Sequence, residues 1–422
     1  MDQPERPLRV CLDARLATGV AGGVEQVVIG LAHGLCSLKD GNDDYLFLTR
    51  RSDDAWLSPY LEGSCNALVS TEEPFRESGV ARAKQRSPVI DKVARMIPAI
   101  PGLRRPGPPA SDGTIEKAHV DVMHFTFQHA FVTDVPSIYQ PHDLQHVHLP
   151  RFFTPREREH RDRIYRTHCE RAEAVVVMSR FGRDDLVNHL DIPREKIHVI
   201  PWAPILAAYG DPSDEFIEQV AARFDLPERF LLYPSHTHPH KNHLALLDAL
   251  DILRERHDLR IPVICTGGLT PFYSSIRDRI ERLGLAEDVR FLSYVEPLEL
   301  CGLYKRALGL VFPSLFEGWG MPVCEAFAAG VPVASSTATM LPDLGGDAVI
   351  GFTPTDPESI AASINQLWTD GDLRASLIER GHARVADLSW ERTAHCFRAL
   401  YRTIGGRSVS TADLQLLESP PL

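Results

Sequence analysis

The stretch FEGWGMPVCEA, residues 316–326, determines how the C-terminal half of this chain folds. It lies between two apolar runs, LGLVFPS (308–314) and VPVASS (331–336), which predict buried strands. Between them, VCEAFAA predicts a short helix, with Pro322 at its first position and Gly330 just past its end. The stretch therefore predicts a glycine loop that joins a strand to a helix N-terminus.

Two carboxylates bracket this loop, Glu317 and Glu325. A helix N-terminus offers free N–H groups and a positive dipole end, which suit an anion, and glycines let a ligand approach the backbone. Carboxylates accept hydrogen bonds from hydroxyls. A ligand with a phosphate and several hydroxyls, such as a nucleotide sugar, matches both features. The alternative is a helix start in which Glu325 only stabilises the first turn.

Length and composition narrow the class of protein. The chain has 422 residues, which suits two domains of about 200 residues each. Its net charge of -12 argues against a nucleic-acid binder, which needs a basic surface. The eight cysteines form no CxxC pair, as in a cytosolic protein with reduced thiols. No signal peptide or apolar membrane span is recognisable, so the sequence predicts a cytoplasmic protein.

Apolar runs alternate with helical patterns along the chain, which predicts α/β architecture with mostly parallel sheets. We expect an N-terminal domain over 1–205, a C-terminal domain over 206–387, and a last helix and tail over 388–422. The predicted strands of the two domains are 8–13, 45–49, 120–125, 136–143 and 172–179, then 229–235, 261–268, 289–295, 308–314 and 331–336.

A basic segment interrupts the pattern over 76–105, within a longer insertion over 76–116. It carries eight arginines and lysines against two acidic residues, with apolar residues among them. One interpretation is a mobile surface insertion. The other is an amphipathic basic patch that meets an acidic acceptor, or an acidic membrane from its inner face.

The pattern Glu-Gly-Trp-Gly-Met-Pro-x-x-Glu, from Glu317 to Glu325, resembles the signature of retaining glycosyltransferases of glycosyltransferase family four. The resemblance implies a GT-B fold, in which two Rossmann-like domains face each other across a cleft. It implies that the C-terminal domain binds a nucleotide-diphosphate sugar and that the N-terminal domain supplies most of the acceptor site. The helix over 389–404 is expected to cross back to the N-terminal domain.

The resemblance also implies roles for single residues. Glu317 is expected to contact the donor hexose, together with backbone amides around 319–321, and Glu325 to hold the ribose hydroxyls. In YPSHTHPHKN (233–242), Lys241 is expected to reach the diphosphate. Ser235 stands where many relatives carry a second cationic ligand, an arginine, so a neighbouring histidine or hydroxyl is expected to replace it.

Further implied positions lie in both domains. GVAGGVEQ (19–26) resembles the glycine loop that faces the diphosphate, His142 resembles a histidine near the scissile bond, and Val295 is expected to contact the base through its backbone. The predicted catalytic residues are His142, Lys241 and Glu317; the predicted donor-binding residues are Gly22, Gly23, Ser235, Lys241, Val295, Glu317, Gly318, Trp319, Gly320, Met321, Pro322 and Glu325.

These parts imply a mechanism without a cofactor. Backbone amides and Lys241 would stabilise the leaving diphosphate, and domain closure would exclude water. No metal is expected. The DGD at 370–372 is predicted to be a polar turn rather than a metal motif, and the four histidines between 236 and 243 are a minor candidate for zinc.

Other functions stay open at this stage. The chain lacks the GxGxxG of a dinucleotide-dependent oxidoreductase after its first strand. A GT-B sugar epimerase, a phosphorylase or a non-catalytic sugar-binding protein would keep the fold. For a transferase, the acceptor is either a lipid-linked or cell-surface glycan, as in bacterial polysaccharide biosynthesis, or a small natural-product molecule.

Overall fold

The computed structural model describes residues 6–16, 23–50, 55–70 and 108–421. The basic segment 76–105 and Gly22 lie outside the described residues. The described part contains two all-parallel sheets, one of seven strands and one of six, with helices between the strands. This confirms the predicted α/β architecture.

The N-terminal sheet has the strand order β3-β2-β1-β4-β5-β6-β7. Its strands are β1 Arg9–Asp13, β2 Asp44–Thr49, β3 Cys65–Val69, β4 Val122–Phe125, β5 Ser137–Tyr139, β6 Ala174–Val177 and β7 Ile197–Val199. The helices of this unit are α1 Gly23–Ser37, α2 Thr114–Lys117, α3 Gln145–His148, α4 Pro155–Arg171 and α5 Arg180–Leu190, with 3-10 turns at Ser58–Tyr60, Pro150–Phe152 and Arg194–Lys196.

The C-terminal sheet has the order β10-β9-β8-β11-β12-β13. Its strands are β8 Leu231–Pro234, β9 Val263–Thr266, β10 Val289–Phe291, β11 Gly309–Phe312, β12 Val333–Ser336 and β13 Val349–Phe352. The helices are α6 Leu206–Tyr209, α7 Asp214–Arg223, α8 His243–His257, α9 Tyr273–Leu283, α10 Pro297–Arg306, α11 Met321–Ala328, α12 Leu341–Gly345, α13 Pro357–Thr369 and α14 Gly371–Val385, with a 3-10 turn at Pro239–Lys241. Two helices follow, α15 Trp390–Ile404 and α16 Thr411–Glu418.

The strand order indicates where each sheet is expected to bind a ligand. In both sheets the order reverses beside the first strand, between β1 and β4 and between β8 and β11. Ligands of open parallel sheets bind at the carboxyl ends of the strands where the order reverses. Because β8 and β11 are paired neighbours, the loops that follow them lie side by side. These are the loops that contain Lys241 and Glu317.

Helix α15 packs against α1 of the N-terminal unit. The indole of Trp390 lies over Gly30, where an added Cβ would be 2.1 Å from the ring. The Thr393 hydroxyl donates to the Pro201 carbonyl at 3.0 Å. Further along the helix, the Tyr401 hydroxyl lies 2.7 Å from a ring nitrogen of His124, a residue of β4. The last long helix therefore joins the C-terminal unit to the N-terminal one.

Three strands were not predicted, and each gives a weak sequence signal. β3 and β13 are edge strands with several accessible residues, so they lack a continuous apolar run. β7 has only three residues. The central strands β4, β6, β9, β11 and β12 are buried along their whole length, which is why their sequences were recognisable.

Candidate functional site

Lys241 is held at the carboxyl edge of the C-terminal sheet by the loop around it. The next residue, Asn242, has a left-handed backbone with φ +63. Its side-chain amide donates to the carbonyls of Pro313, at 3.0 Å, and Pro354, at 2.7 Å. These bonds tie the loop after β8 to the end of β11. The Lys241 ammonium then lies 2.6 Å from the Glu317 carboxylate.

Glu317 is fixed through its backbone by Thr339. The Glu317 N–H donates to the Thr339 hydroxyl at 3.2 Å, and that hydroxyl lies 3.1 Å from the Glu317 carbonyl. The side chains of Lys241 and Glu317 keep 18% and 12% of their exposure, so the pair borders solvent. An arriving phosphate can therefore compete for the ammonium. Sequence reasoning missed Thr339, although it follows β12 at the same sheet edge.

The helix after the glycine loop begins one residue earlier than predicted. Gly320 precedes it with φ +97, a conformation that favours glycine. Met321 is the first helical residue and Pro322 the second. Glu325 is consequently in the second turn, so the interpretation of a first-turn stabilising glutamate is wrong. Gly330 follows the helix end with φ +70, as expected.

Glu325 is a buried carboxylate with an unused oxygen. It is 2% exposed. The hydroxyl of Tyr304, on α10, donates to Oε2 at 2.6 Å, while Oε1 has no hydrogen-bond partner among the described residues. Burial raises the pKa of Glu325 to about 7, and the Tyr304 hydrogen bond opposes this shift. A buried acceptor without a partner costs roughly 1–3 kcal/mol, so a ligand hydroxyl is the natural partner.

The glycine loop also contacts the N-terminal unit. A Cβ added at Gly318 would lie 2.5 Å from the His142 carbonyl oxygen and 3.3 Å from Met178. The Ser179 hydroxyl lies 3.4 Å from the Gly318 carbonyl. Only glycine permits this approach without a backbone shift. The two units therefore meet at the loop that carries Glu317.

His142 reaches the site mainly through its backbone. It has φ +67, and its Nε2 lies 2.7 Å from the Thr126 carbonyl. Burial lowers the pKa of His142, so the ring is neutral near pH 7, with Nε2–H donating and Nδ1 free to accept. The ring also packs edge-on against Trp202, with centroids 5.2 Å apart. The structure brings His142 to Gly318 but gives its Nε2 a protein partner.

The histidines near Ser235 are neutral rather than cationic. Burial lowers the pKa of His238 to about 4 and of His240 to about 2, and the charge of Lys241 adds to both shifts. The rings of His236 and His238 lie 6.0 Å apart, and those of His238 and His240 stack at 5.7 Å. The Ser235 hydroxyl lies 3.3 Å from the His236 carbonyl. These rings can offer hydrogen bonds, but the positive charge of this loop comes from Lys241.

The remaining predicted positions lie at a helix start or in loops. Gly23 begins α1, with open space where a Cβ would be. Val295 is buried in the loop after β10. The indole nitrogen of Trp319 is buried without a partner among the described residues. Asp370 of the DGD caps α14, accepting from the Leu373 N–H at 2.9 Å, while Gly371 and Asp372 are the first residues of that helix. The prediction of a polar turn over 370–372 is therefore wrong, because only Asp370 lies between α13 and α14.

Potential metal ligands converge elsewhere. Across the part of the chain that the structure describes, one group of three donor side chains lies close enough to share an ion, and it consists of His148, Asp185 and His189. The histidine loop at 236–243 does not form such a group within those residues. None of the described helices is both long and apolar enough to cross a bilayer.

Comparison with known families and proteins agrees with this geometry. The model of the family described as Glycosyl transferases group 1 matches residues 214–384, and that of Glycosyltransferase Family 4 matches residues 21–203. The O-antigen chain mannosyltransferase B of Escherichia coli is 30% identical over 267 residues, covering 61% of this chain and 70% of that protein.

Other relatives match over a smaller share of their length. The serotype-specific mannosyltransferase WbdA of Escherichia coli is 29% identical over 240 residues, which cover 54% of this chain and 28% of WbdA. A D-inositol 3-phosphate glycosyltransferase of Corynebacterium jeikeium is 27% identical over 244 residues, covering 56% of this chain and 58% of that enzyme.

Solved structures share the fold over nearly the whole chain. HepE of Anabaena, crystallised with UDP and glucose, aligns with a TM-score of 0.68 at 17% identity, covering 94% of this chain and all of HepE. The sucrose-phosphate synthase of Thermosynechococcus elongatus aligns with a TM-score of 0.70 at 18% identity, covering 95% of this chain and all of that one. At these identities the likeness establishes the two-domain GT-B fold.

Proposed function

This chain belongs to the glycosyltransferases, with Glycosyltransferase Family 4 in its N-terminal half and Glycosyl transferases group 1 in its C-terminal half, and we propose that it is a mannosyltransferase of bacterial glycan synthesis. It would move mannose from a nucleoside diphosphate donor to a hydroxyl acceptor, with retention at the anomeric carbon and without a catalytic metal. The two Escherichia coli mannosyltransferases among its relatives support this sugar.

The observation that carries the donor site is the unpartnered oxygen of Glu325. This buried acceptor lies on the helix that follows the glycine loop, and that loop contains Glu317, which is paired with Lys241 of the neighbouring loop. A nucleoside diphosphate sugar supplies a matching partner to each group. Its ribose hydroxyls donate to Glu325, its diphosphate accepts from Lys241, and its hexose hydroxyls donate to Glu317.

Lys241 exchanges its partner, from the Glu317 carboxylate to the donor diphosphate, when the donor binds. Lys241, bonded to Glu317 in the unliganded protein, turns toward the diphosphate and stabilises the negative charge that develops as the C1–O bond breaks. The Met321 N–H at the first position of α11 adds to this stabilisation, since Pro322 has no N–H and the Val323 N–H donates to the Gly320 carbonyl. The acceptor hydroxyl attacks from the face that the diphosphate leaves, and a departing phosphate oxygen takes its proton.

Contact between the two units completes the site. Gly318 against the His142 carbonyl closes the cleft beside the hexose position, so that water is kept from the reactive carbon. The neutral histidines after Ser235 donate N–H groups to phosphate oxygens in place of an arginine. In this proposal Lys241 and a backbone N–H group stabilise the charge of the diphosphate without a metal ion. Transfer should therefore continue in the presence of a chelator.

The test of this proposal is a product analysis. Purified protein is incubated with GDP-mannose or UDP-linked hexoses and a mannose-terminated acceptor, with and without EDTA, and the anomeric configuration of the product is read by NMR. An α-mannosyl product formed equally with EDTA supports the proposal, since the donor has the same configuration. An inverted product, or turnover that needs an added divalent ion, contradicts it.

A second acceptor class follows from the Corynebacterium relative, whose name specifies D-inositol 3-phosphate. The same assay with a phosphorylated polyol as acceptor distinguishes a small-molecule acceptor from a glycan. The basic segment 76–105 favours an acidic or membrane-linked acceptor. If it is a membrane-contact patch, replacing its arginines and lysines should abolish sedimentation with acidic vesicles, and unchanged sedimentation would refute that role.

A further inference from the structure

Three side chains of the N-terminal unit converge outside the donor site. His148 ends α3, and Asp185 and His189 lie one turn apart on α5. The Asp185 Oδ1 atom is 2.6 Å from Nε2 of His148 and 3.4 Å from Nε2 of His189. One donor atom from each residue lies within 4.8 Å of the others. Two imidazole nitrogens therefore point at one carboxylate oxygen.

The donor set and its burial suit a transition metal. Asp185 is only 7% exposed, while the side chains of His148 and His189 keep 31% and 39% exposure. The carboxylate is thus fixed, and the two rings can move. Zinc bonds to imidazole nitrogen and carboxylate oxygen at about 2.0–2.2 Å, which separates ligand atoms by about 3.3 Å. Side-chain shifts of about 1 Å would open the His148–Asp185 contact and draw in His189.

We propose that His148, Asp185 and His189 form a Zn²⁺ site, with water as the fourth ligand. Each histidine would bind the ion through an unprotonated Nε2 and carry its single N–H at Nδ1, so that for His148 the proton of the hydrogen bond to Asp185 moves to Nδ1 by way of solvent. Two neutral imidazoles and one carboxylate leave the bound ion with a single net positive charge. The ion bridges α3 and α5 and does not take part in the transfer chemistry proposed above.

The position of this site connects it to the donor loop. The ring of Phe316, the residue before Glu317, lies 5.0 Å from the His148 ring, and Phe181 of α5 lies 6.1 Å from Phe316. A bound ion would hold His148 in one orientation against Phe316. It would thereby stabilise the surface of the N-terminal unit on which the donor loop packs.

The test uses tag-free full-length protein, freed of metal by chelation and dialysis. Zn²⁺ binding is measured by calorimetry. Co²⁺ binding is measured by visible absorption, because an intense band reports a four-coordinate site such as the one proposed. The variants His148→Gln and His189→Gln each remove one partly exposed ligand. His257→Gln, at the exposed end of α8, is the matched control.

We expect one ion per chain, bound roughly tenfold or more weakly by each ligand variant and with unchanged affinity by the control. Zn²⁺ should also raise the melting temperature of the wild type and of His257→Gln, but not of His148→Gln. Circular dichroism establishes that the variants are folded. Equal affinity in all four proteins, or several weak sites without a Co²⁺ band, would mean adventitious binding and overturn the proposal.

Discussion

Replacing Glu325 by glutamine should stabilise the unliganded protein at alkaline pH while it weakens the donor site. Glutamine has the same shape and still accepts the Tyr304 hydrogen bond, but it cannot ionise. In the wild type the buried carboxylate must become charged with one oxygen unpartnered. The unliganded fold is therefore destabilised by the same group that binds the ligand.

The pKa of Glu325 gives the size and sign of the effect. Burial raises it from 4.5 to about 7, so the folded state holds the proton more strongly than the unfolded state does. The contribution of Glu325 to stability is then lost as pH rises from about 4.5 through about 7. At about 1.4 kcal/mol for each pKa unit, the wild type should lose about 2–3 kcal/mol from this group between about pH 5 and about pH 8.

Urea unfolding across this pH range measures the difference. Other titrating groups, including the buried histidines, are shared by both proteins, so subtraction isolates Glu325. The stability of the Glu325→Gln variant relative to wild type should increase by about 2–3 kcal/mol over the range. Glu287→Gln, at an exposed position, is the matched control and should show no such trend. Parallel pH curves for wild type and Glu325→Gln would refute the reasoning.

Three further substitutions test other parts of the structure. Lys241→Met should weaken binding of the nucleoside diphosphate by roughly 10- to 100-fold in calorimetry, because one charge-assisted hydrogen bond is lost; unchanged affinity would remove Lys241 from the site. Gly318→Ala should reduce turnover by about tenfold or more, while donor affinity changes little, since its Cβ meets the His142 carbonyl; full activity would show that this contact is dispensable. Gly30→Ala should lower the free energy of unfolding by about 2 kcal/mol, because its Cβ overlaps the Trp390 indole; unaltered urea unfolding would contradict the docking of α15.

The sequence predicted the central strands and the glycine loop over 316–320 because both leave a signal in consecutive residues. Strands buried on both faces form apolar runs, and the glycines at Gly320 and Gly330 have the left-handed backbone that their positions demand. Pairing of Lys241 with Glu317 follows from the adjacency of β8 and β11, which a sequence does not state. The resemblance to a family placed both residues in the donor site but did not predict that they contact each other.

Other features depend on contacts between distant parts of the chain. Tyr304 lies 21 residues from Glu325, and Thr339 lies 22 residues from Glu317, without a recognisable spacing rule. The contact of Gly318 with His142 joins two units and depends on how they pack together. The burial of Glu325 could not be predicted from the sequence either, and it favours the ligand-acceptor interpretation over the alternative of a helix-stabilising acid.

The central claim is that Glu325 and the Lys241–Glu317 pair hold the nucleoside diphosphate of a sugar donor. Calorimetric titration of the protein with GDP, UDP, ADP and TDP, each repeated with EDTA, tests it most directly. We predict that one of the four binds to one site per chain, equally with EDTA, and that Glu325→Ala weakens this binding at least about tenfold, as expected for the loss of a charged hydrogen-bond acceptor. Absence of binding by all four, or equal binding by Glu325→Ala, would contradict the account.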